Sequence, residues 1–249
     1  MIELEINGKK ISAAPGTTVL EAAKSAGIKI PTLCHWDGIK PYGACRVCTV
    51  EITDNGRTTY QASCCYEVKN GLKVRTDSPA VEKGRKVLLQ LLLARCPDAP
   101  EIRKLAAEWG VKETPFAKKN EKCILCGLCV RACASLLGAE AIGFSGRGIS
   151  RKVGTPFGIA SETCIACGAC TYVCPTNHMQ MESTMAASLR KKAGYERKCR
   201  YALMGMVAGK LCPNNYECAT CTFDQTMESH FGKHPAFIIA STKQAHIAQ

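Results

Sequence analysis

Cys164, Cys167, Cys170 and Cys174, with Pro175 directly behind them, follow the spacing C-x2-C-x2-C-x3-C-P, and Cys123, Cys126, Cys129 and Cys133 repeat the cysteine pattern upstream. Two such runs are the signature of a pair of [4Fe–4S] clusters, because eight thiolates so spaced have almost no other use. In that arrangement the fourth cysteine of each run crosses to the other cluster. One set is then Cys123, Cys126, Cys129 and Cys174, and the other is Cys133, Cys164, Cys167 and Cys170. Gly127 and Gly168 stand at turn positions where a side chain would meet the cluster and backbone N–H groups point at sulfur. Ala134 replaces proline behind the first run, which relaxes the pattern without breaking it.

Two further cysteine groups flank this repeat. Cys34, Cys45, Cys48 and Cys64 read C-x10-C-x2-C-x15-C. One close pair and two distant cysteines on a small β domain suit a [2Fe–2S] centre, whereas structural zinc is usually held by two close pairs. Cys65 reads as a spare buried thiol and His35 as a plain loop histidine. Cys199, Cys212, Cys218 and Cys221 read C-x12-C-x5-C-x2-C, a metal site for zinc or a further iron–sulfur cluster. His230 and His234 are candidate substitute ligands there, with a solvated turn as the plainer expectation for both.

Composition narrows the classes. The chain has 249 residues and 18 cysteines, and their tight C-x2-C grouping favours metal ligation in a reducing compartment over disulfides. The opening residues, Met1 to Ile6, show no basic leader before an apolar core, so a cytoplasmic location is expected. The longest apolar run, Val87 to Ala94, falls far short of the ~20 residues of a membrane span, so no direct membrane insertion is expected. A net charge of +12 points first to nucleic acid. Three clusters at about −2 each would bring it to roughly +6, and the basic residues are spread along the whole chain. The expectation is therefore no nucleic-acid binding but a modest basic face for an acidic redox partner.

The elements that must position these cysteines fall into four stretches. Residues 1–78 are β-rich: Ile2, Leu4 and Ile6 alternate with polar residues, Asn7-Gly8 turns the chain, and Lys10 to Ala13 returns. A helix is expected from Val19 to Ala26, capped by Thr17 or Thr18 and stopped by Gly27. A second hairpin joins Val47–Ile52 to Thr58–Ala62 around Asp54-Asn55-Gly56, and Leu72–Arg75 forms a last strand. Residues 79–120 form a helical connector with an apolar face of Leu88, Leu89, Leu92 and Leu93, ending in a polar linker over 111–120. Residues 121–180 hold the ferredoxin-like repeat, with a glycine-rich insert from Gly143 to Gly158. Residues 181–249 hold a small helical module and a weakly patterned tail. The fold class expected is α+β.

The stretch Ile30-Pro31-Thr32-Leu33-Cys34, with Gly43-Ala44-Cys45-Arg46-Val47-Cys48 and Ala62-Ser63-Cys64, resembles the N-terminal domain of the large iron–sulfur subunit of respiratory complex I. The same module occurs in the iron–sulfur subunit of bidirectional nickel–iron hydrogenases and in multi-cluster iron-only hydrogenases. The resemblance covers residues 2–95 and implies a β-grasp [2Fe–2S] domain. In those relatives the leucine-rich helix is followed by a histidine and three cysteines that hold another [4Fe–4S] cluster. Here that stretch has only Cys96, so that cluster is expected to be absent and Cys96 to be a packed thiol. The final cysteine group resembles a short module appended to varied bacterial redox and signalling proteins, which favours a structural metal.

No complete dinucleotide fingerprint or Walker motif occurs, so no flavin or NAD(P) site of its own is expected. The resemblance implies an electron-transfer subunit with no catalytic residues, part of a soluble hetero-oligomer of anaerobic, electron-bifurcating type. Its partners would be a flavoprotein subunit carrying FMN and the NAD(P)H site, and ferredoxin or another redox subunit. The rivals are a free-standing multi-cluster carrier and an iron–sulfur redox-sensing regulator.

Overall fold

A computed structural model describes residues 1–159, 161–179, 187–232 and 234–238. The chain divides into two compact units, Met1–His35 with Pro41–Cys126, and Trp36–Lys40 with Gly127–Gln249.

In the first unit the expected hairpin forms between β1 (Ile2–Ile6) and β2 (Lys9–Ala13), with Ile2 opposite Ala13. Asn7 and Gly8 both take positive φ, as the tight turn requires. Helix α1 (Val19–Ser25) starts at a capping box, in which Glu21 N–H donates to the Thr18 hydroxyl and Thr18 N–H donates to the Glu21 carboxylate. A second hairpin, β3 (Thr49–Asp54) and β4 (Arg57–Ala62), pairs through β5 (Lys73–Arg75) with β1. The sheet order is β2-β1-β5-β3-β4. Val19, Leu20, Ala22 and Ala23 of α1 bury against Ile6, Val50, Ile52 and Val74 of the sheet. This helix-on-mixed-sheet arrangement is the one a β-grasp domain has, and the alternating pattern of the strands dictates which faces meet.

Helix α2 (Pro79–Arg95) begins at Ser78, whose hydroxyl accepts from Val81 N–H and donates to Glu51 at 2.6 Å. The face expected from the leucines is shifted. Val81, Arg85, Leu89 and Leu93 form the buried stripe at four-residue spacing, while Leu88 and Leu92 are half-buried. Arg85 sits on an apolar stripe because its guanidinium reaches backbone oxygens that the sheet leaves open. Its Nε donates to Val47 O and its Nη2 to Thr49 O, both at 3.0 Å, and two weaker bonds reach Thr76 O. Its plane also lies over the Trp109 ring, 4.3 Å from the centroid.

Helix α3 (Pro100–Glu108) follows a short turn at Cys96–Ala99. The stretch expected to be a linker is strapped back onto α2: Lys119 N–H donates to Ala94 O at 2.6 Å and Glu121 N–H to Arg95 O at 3.2 Å.

In the second unit, α4 (Leu128–Ser135) and α5 (Ala169–Tyr172) are the helices of the two cysteine runs. Between them the glycine-rich insert forms a hairpin of β6 (Gly143–Ser145) and β7 (Lys152–Gly154). Beyond residue 186 come α6 (Ala187–Arg190), α7 (Arg200–Leu203) and α8 (Thr222–Phe231). The end of the expected tail, 239–249, lies outside the described residues. No described helix is long and apolar enough to cross a membrane.

Replacing Arg85 by Met would keep the buried length but strand the Val47, Thr49 and Thr76 carbonyls. The expected loss is about 3 kcal/mol, since each buried acceptor left unsatisfied costs roughly 1–3 kcal/mol. Thermal unfolding of the full chain should show an earlier transition, with Arg85→Lys intermediate because an ammonium cannot reproduce the planar fork.

Candidate iron–sulfur sites

Cys34, Cys45, Cys48 and Cys64 are all buried in the first unit. The loop after Ile30 brings in Cys34, the turn before β3 brings in Cys45 and Cys48, and Cys64 stands just past β4. The thiols meet as two pairs. Cys45 N–H donates to Cys34 Sγ at 3.4 Å, and the Cys48 and Cys64 sulfurs are 3.5 Å apart. Two pairs match a dinuclear centre, in which each iron takes two thiolates beside the bridging sulfides.

The backbone is bent to allow this: Arg46, inside the C-x2-C turn, has φ 59, and Gly43 has φ 67. A Cβ on Gly43 would come within 3.1 Å of Cys65 Sγ. Cys65 itself is exposed rather than buried, because the turn after β4 sends only Cys64 inward, and its sulfur stays 3.6 Å from Cys64 Sγ.

Electrostatics agree with a cationic occupant. The hydrogen bond from Cys64 pulls the Cys48 thiol down to about 6, with help from the Cys64 N–H and the Ser63 hydroxyl. In return Cys48 drives Cys64 upward, and Cys34 drives Cys45 upward, with burial adding to both. Four thiolates cannot share this pocket unaided; iron would supply the positive charge that releases the remaining protons.

In the second unit Cys133, Cys164, Cys167 and Cys170 line a single cavity with Ala141, Ile142, Ile165 and Ala166. The fourth cysteine of the first run thus faces the first three of the second. N–H groups are aimed at the sulfurs: Ala141 donates to Cys133 Sγ at 3.2 Å, and Ala166 and Ala169 donate to Cys164 and Cys167. Burial nevertheless pushes the Cys167 thiol up to about 11 and the Cys170 thiol up to about 12. The first run shows the same backbone, with Leu125 N–H donating to Cys123 Sγ at 3.4 Å. Leu125 and Ala166 occupy equivalent left-handed positions at φ 54 and φ 51, as do Gly127 and Gly168 at φ 70 and φ 81. Strain repeated at matching places marks a functional turn. Cys129 and Cys174 pack with Cys170, Ile142 and Met179 in the second unit, whereas Cys123 and Cys126 close the first unit.

The last four cysteines also converge. Cys199, Cys212, Cys218 and Cys221 line one cavity together with Tyr201, Tyr216 and Phe223. A reciprocal clasp sets it up, Cys199 N–H to Lys210 O at 2.8 Å and Cys212 N–H to Arg197 O at 2.6 Å. Tyr216 N–H donates to Cys212 Sγ at 3.2 Å from a turn in which Asn215 and Tyr216 both have positive φ. Burial raises the Cys218 thiol to about 11.

Three residues that sequence reasoning passed over or misplaced matter here. Arg200 follows Cys199 and is buried, ion-paired with buried Asp224 and with Glu228. His234 is not in a solvated turn but is 2% exposed, while His230 is exposed as expected but on α8 rather than in a turn. Burial, and then the nearby Arg200 charge, hold His234 down to about 4, so its ring is neutral. The third is Arg85, for which the one sequence signal was a cation at the fourth residue of an apolar stripe; the burial of Arg200 and His234 left none. Cys96 is fully buried at the end of α2, and burial pushes it up to about 11, the behaviour of a packed thiol.

Comparison with known proteins agrees with this geometry. Residues 1–79 match the 2Fe-2S iron-sulfur cluster binding domain and residues 122–178 the 4Fe-4S dicluster domain. A chain in the crystal structure of an NAD+-reducing [NiFe]-hydrogenase in the H2-reduced state superposes with a TM-score of 0.56 at 34% identity, covering 62% of this chain and 74% of that one. The chain belongs to this family of iron–sulfur electron-transfer subunits.

Other family members include a subunit of the NADH-quinone oxidoreductase of Rhizobium meliloti, 33% identical over 61% of this chain. The alpha subunit of the NADPH-Fe(3+) oxidoreductase of Geobacter sulfurreducens is 34% identical over 59% of it. The chain spans only about a fifth of the length of these two relatives, 21% and 20%.

Gly43→Ala tests the packed turn of the first site. The left-handed backbone and the contact with Cys65 should together cost about 1–3 kcal/mol. The visible absorbance of the holoprotein should bleach at a lower temperature, and Cys65→Ser added to Gly43→Ala should restore only part of the loss, because φ is unchanged.

Proposed function

We propose that this chain is a relay subunit carrying one [2Fe–2S] and two [4Fe–4S] clusters, which passes single electrons between partner subunits. The observations that support the reading are the Cys48–Cys64 pair and the cavity lined by Cys133, Cys164, Cys167 and Cys170 with N–H groups aimed at sulfur, in a chain without a nucleotide-binding fingerprint. The [2Fe–2S] ligands are Cys34, Cys45, Cys48 and Cys64. One [4Fe–4S] centre takes Cys123, Cys126, Cys129 and Cys174, and the other takes Cys133, Cys164, Cys167 and Cys170. When bound, each cluster supplies a one-electron couple. The protein's own part is to supply ligands, exclude water and aim backbone dipoles at sulfur.

The domain division is 1–78, 79–120, 121–180 and 181–249, with Cys199, Cys212, Cys218 and Cys221 holding a structural zinc. The helical connector carries no cluster, because Cys96 is packed. The relay is thus interrupted within the chain, and the gap calls for a partner's cofactor. Hydride oxidation must likewise happen elsewhere, on a flavoprotein partner bearing FMN and the NAD(P)H site. Ferredoxin or another redox subunit is the opposite terminus, in a cytoplasmic, electron-bifurcating hetero-oligomer.

Purifying the native assembly tests this. A flavoprotein should co-purify, and the isolated chain should contain about ten irons and one zinc. A stable monomer with no flavoprotein overturns the subunit reading, and about twelve or fourteen irons with no zinc overturns the zinc assignment. Cys170→Ser should lower iron by about four per chain, since its cluster loses a ligand, while the [2Fe–2S] EPR signal persists.

A further inference from the structure

The carbonyl of Cys167 is gripped from two directions. His234 Nε2 lies 2.9 Å from Cys167 O, and Arg200 Nη1 donates to the same oxygen at 3.4 Å. The tautomer follows from the other side of the ring: Ala236 N–H donates to His234 Nδ1 at 3.3 Å, so Nε2 carries the proton and donates. Both side chains are buried, 2% exposed for His234 and 6% for Arg200. They reach Cys167 from 67 and 33 residues away in sequence.

We propose that Arg200 and His234 are positioning residues that set the reduction potential of the [4Fe–4S] centre at Cys133, Cys164, Cys167 and Cys170, which makes the C-terminal module a potential-setting collar. The inference rests on that ligand set, given under the proposed function.

The physical argument is electrostatic. Reduction adds one electron and no proton, so a centre at about −2 goes to about −3. In a low-dielectric surrounding, the positive ends of fixed dipoles favour the more negative state and so raise the potential. Two N–H donors directed at a ligand's own peptide carbonyl place positive dipole ends beside that ligand. Asp224 and Glu228 offset the charge of Arg200, but the guanidinium is the end that reaches Cys167.

A purely structural role fits less well. Arg200 is already bound to two carboxylates and to the Tyr201 hydroxyl, so holding α7 to α8 does not require Cys167. The same device recurs at the other centres. Arg95 Nε donates to Cys123 O at 2.7 Å, and Arg85 Nε donates to Val47 O beside Cys48 at 3.0 Å. Each of these three ligand groups thus has an arginine on a ligand-loop carbonyl.

The test is an EPR-monitored redox titration of the full holo chain, with iron and sulfide counted in every sample. His234→Phe removes the donor and keeps a ring; His234→Gln restores an N–H. His234→Phe should retain its iron and hold the electron about tenfold less tightly, a fall of about 59 mV for a one-electron couple. His234→Gln should recover most of that fall, and the [2Fe–2S] signal should not move. A fully loaded His234→Phe with the wild-type potential overturns the proposal.

Should His234→Phe fail to load, the paired variant Arg200→Met with Asp224→Asn, which leaves no lone buried charge, is read the same way. A fall in potential supports the proposal. No fall, or failure of both variants to load, overturns it in favour of a structural role. Failure of the ligand reading is separate: Cys170→Ser would then keep the iron count of the wild type.

Discussion

Everything in this chain answers to one constraint, the difficulty of burying a thiolate. A cysteine sulfur is a useful metal ligand only when ionised, yet burial favours the neutral thiol. Burial raises Cys167, Cys170 and Cys218 in this structure, and hydrogen bonding to a partner thiol raises Cys45 and Cys64. Backbone N–H groups recover part of the cost, which is why Leu125, Ala166 and Arg46 accept left-handed conformations. Cations must recover the rest, and cysteine-lined sites of this kind point to bound metal as that source.

Arginine then fastens the frame. Arg85, Arg95 and Arg200 lie in different parts of the fold, but each donates to a peptide oxygen in or beside a cysteine loop. The carbonyls of Val47, Cys123 and Cys167 are the acceptors. The guanidinium fork suits them well because it carries several donors and stays charged when buried. The same contacts that hold the loops stiff also place positive dipole ends near them.

Cys96 sits where the resembling subunits begin an additional cluster site, but here it packs against its own helix end. Residues 119–121 then tie back onto the end of α2. These backbone hydrogen bonds fasten the segment before the first cysteine run to the end of the helix.

Cysteine spacing pointed to a [2Fe–2S] domain and a two-cluster [4Fe–4S] domain, because ligands within a C-x2-C turn are held together by a few bonds. Strand alternation and turn residues likewise decided the β1–β2 and β3–β4 hairpins, and narrowed the cap of α1 to Thr17 or Thr18, since these are local. What spacing could not decide was anything that depended on a partner distant in sequence. Of the four leucines expected on the buried face of α2, Leu89 and Leu93 stay and are joined by Val81 and by Arg85, whose guanidinium reaches the Val47 and Thr49 carbonyls. His234 turned inward for the same kind of reason, its ring meeting the Cys167 carbonyl. A residue's environment is set by which distant backbone groups still need a hydrogen bond, and only the folded chain brings those groups within reach.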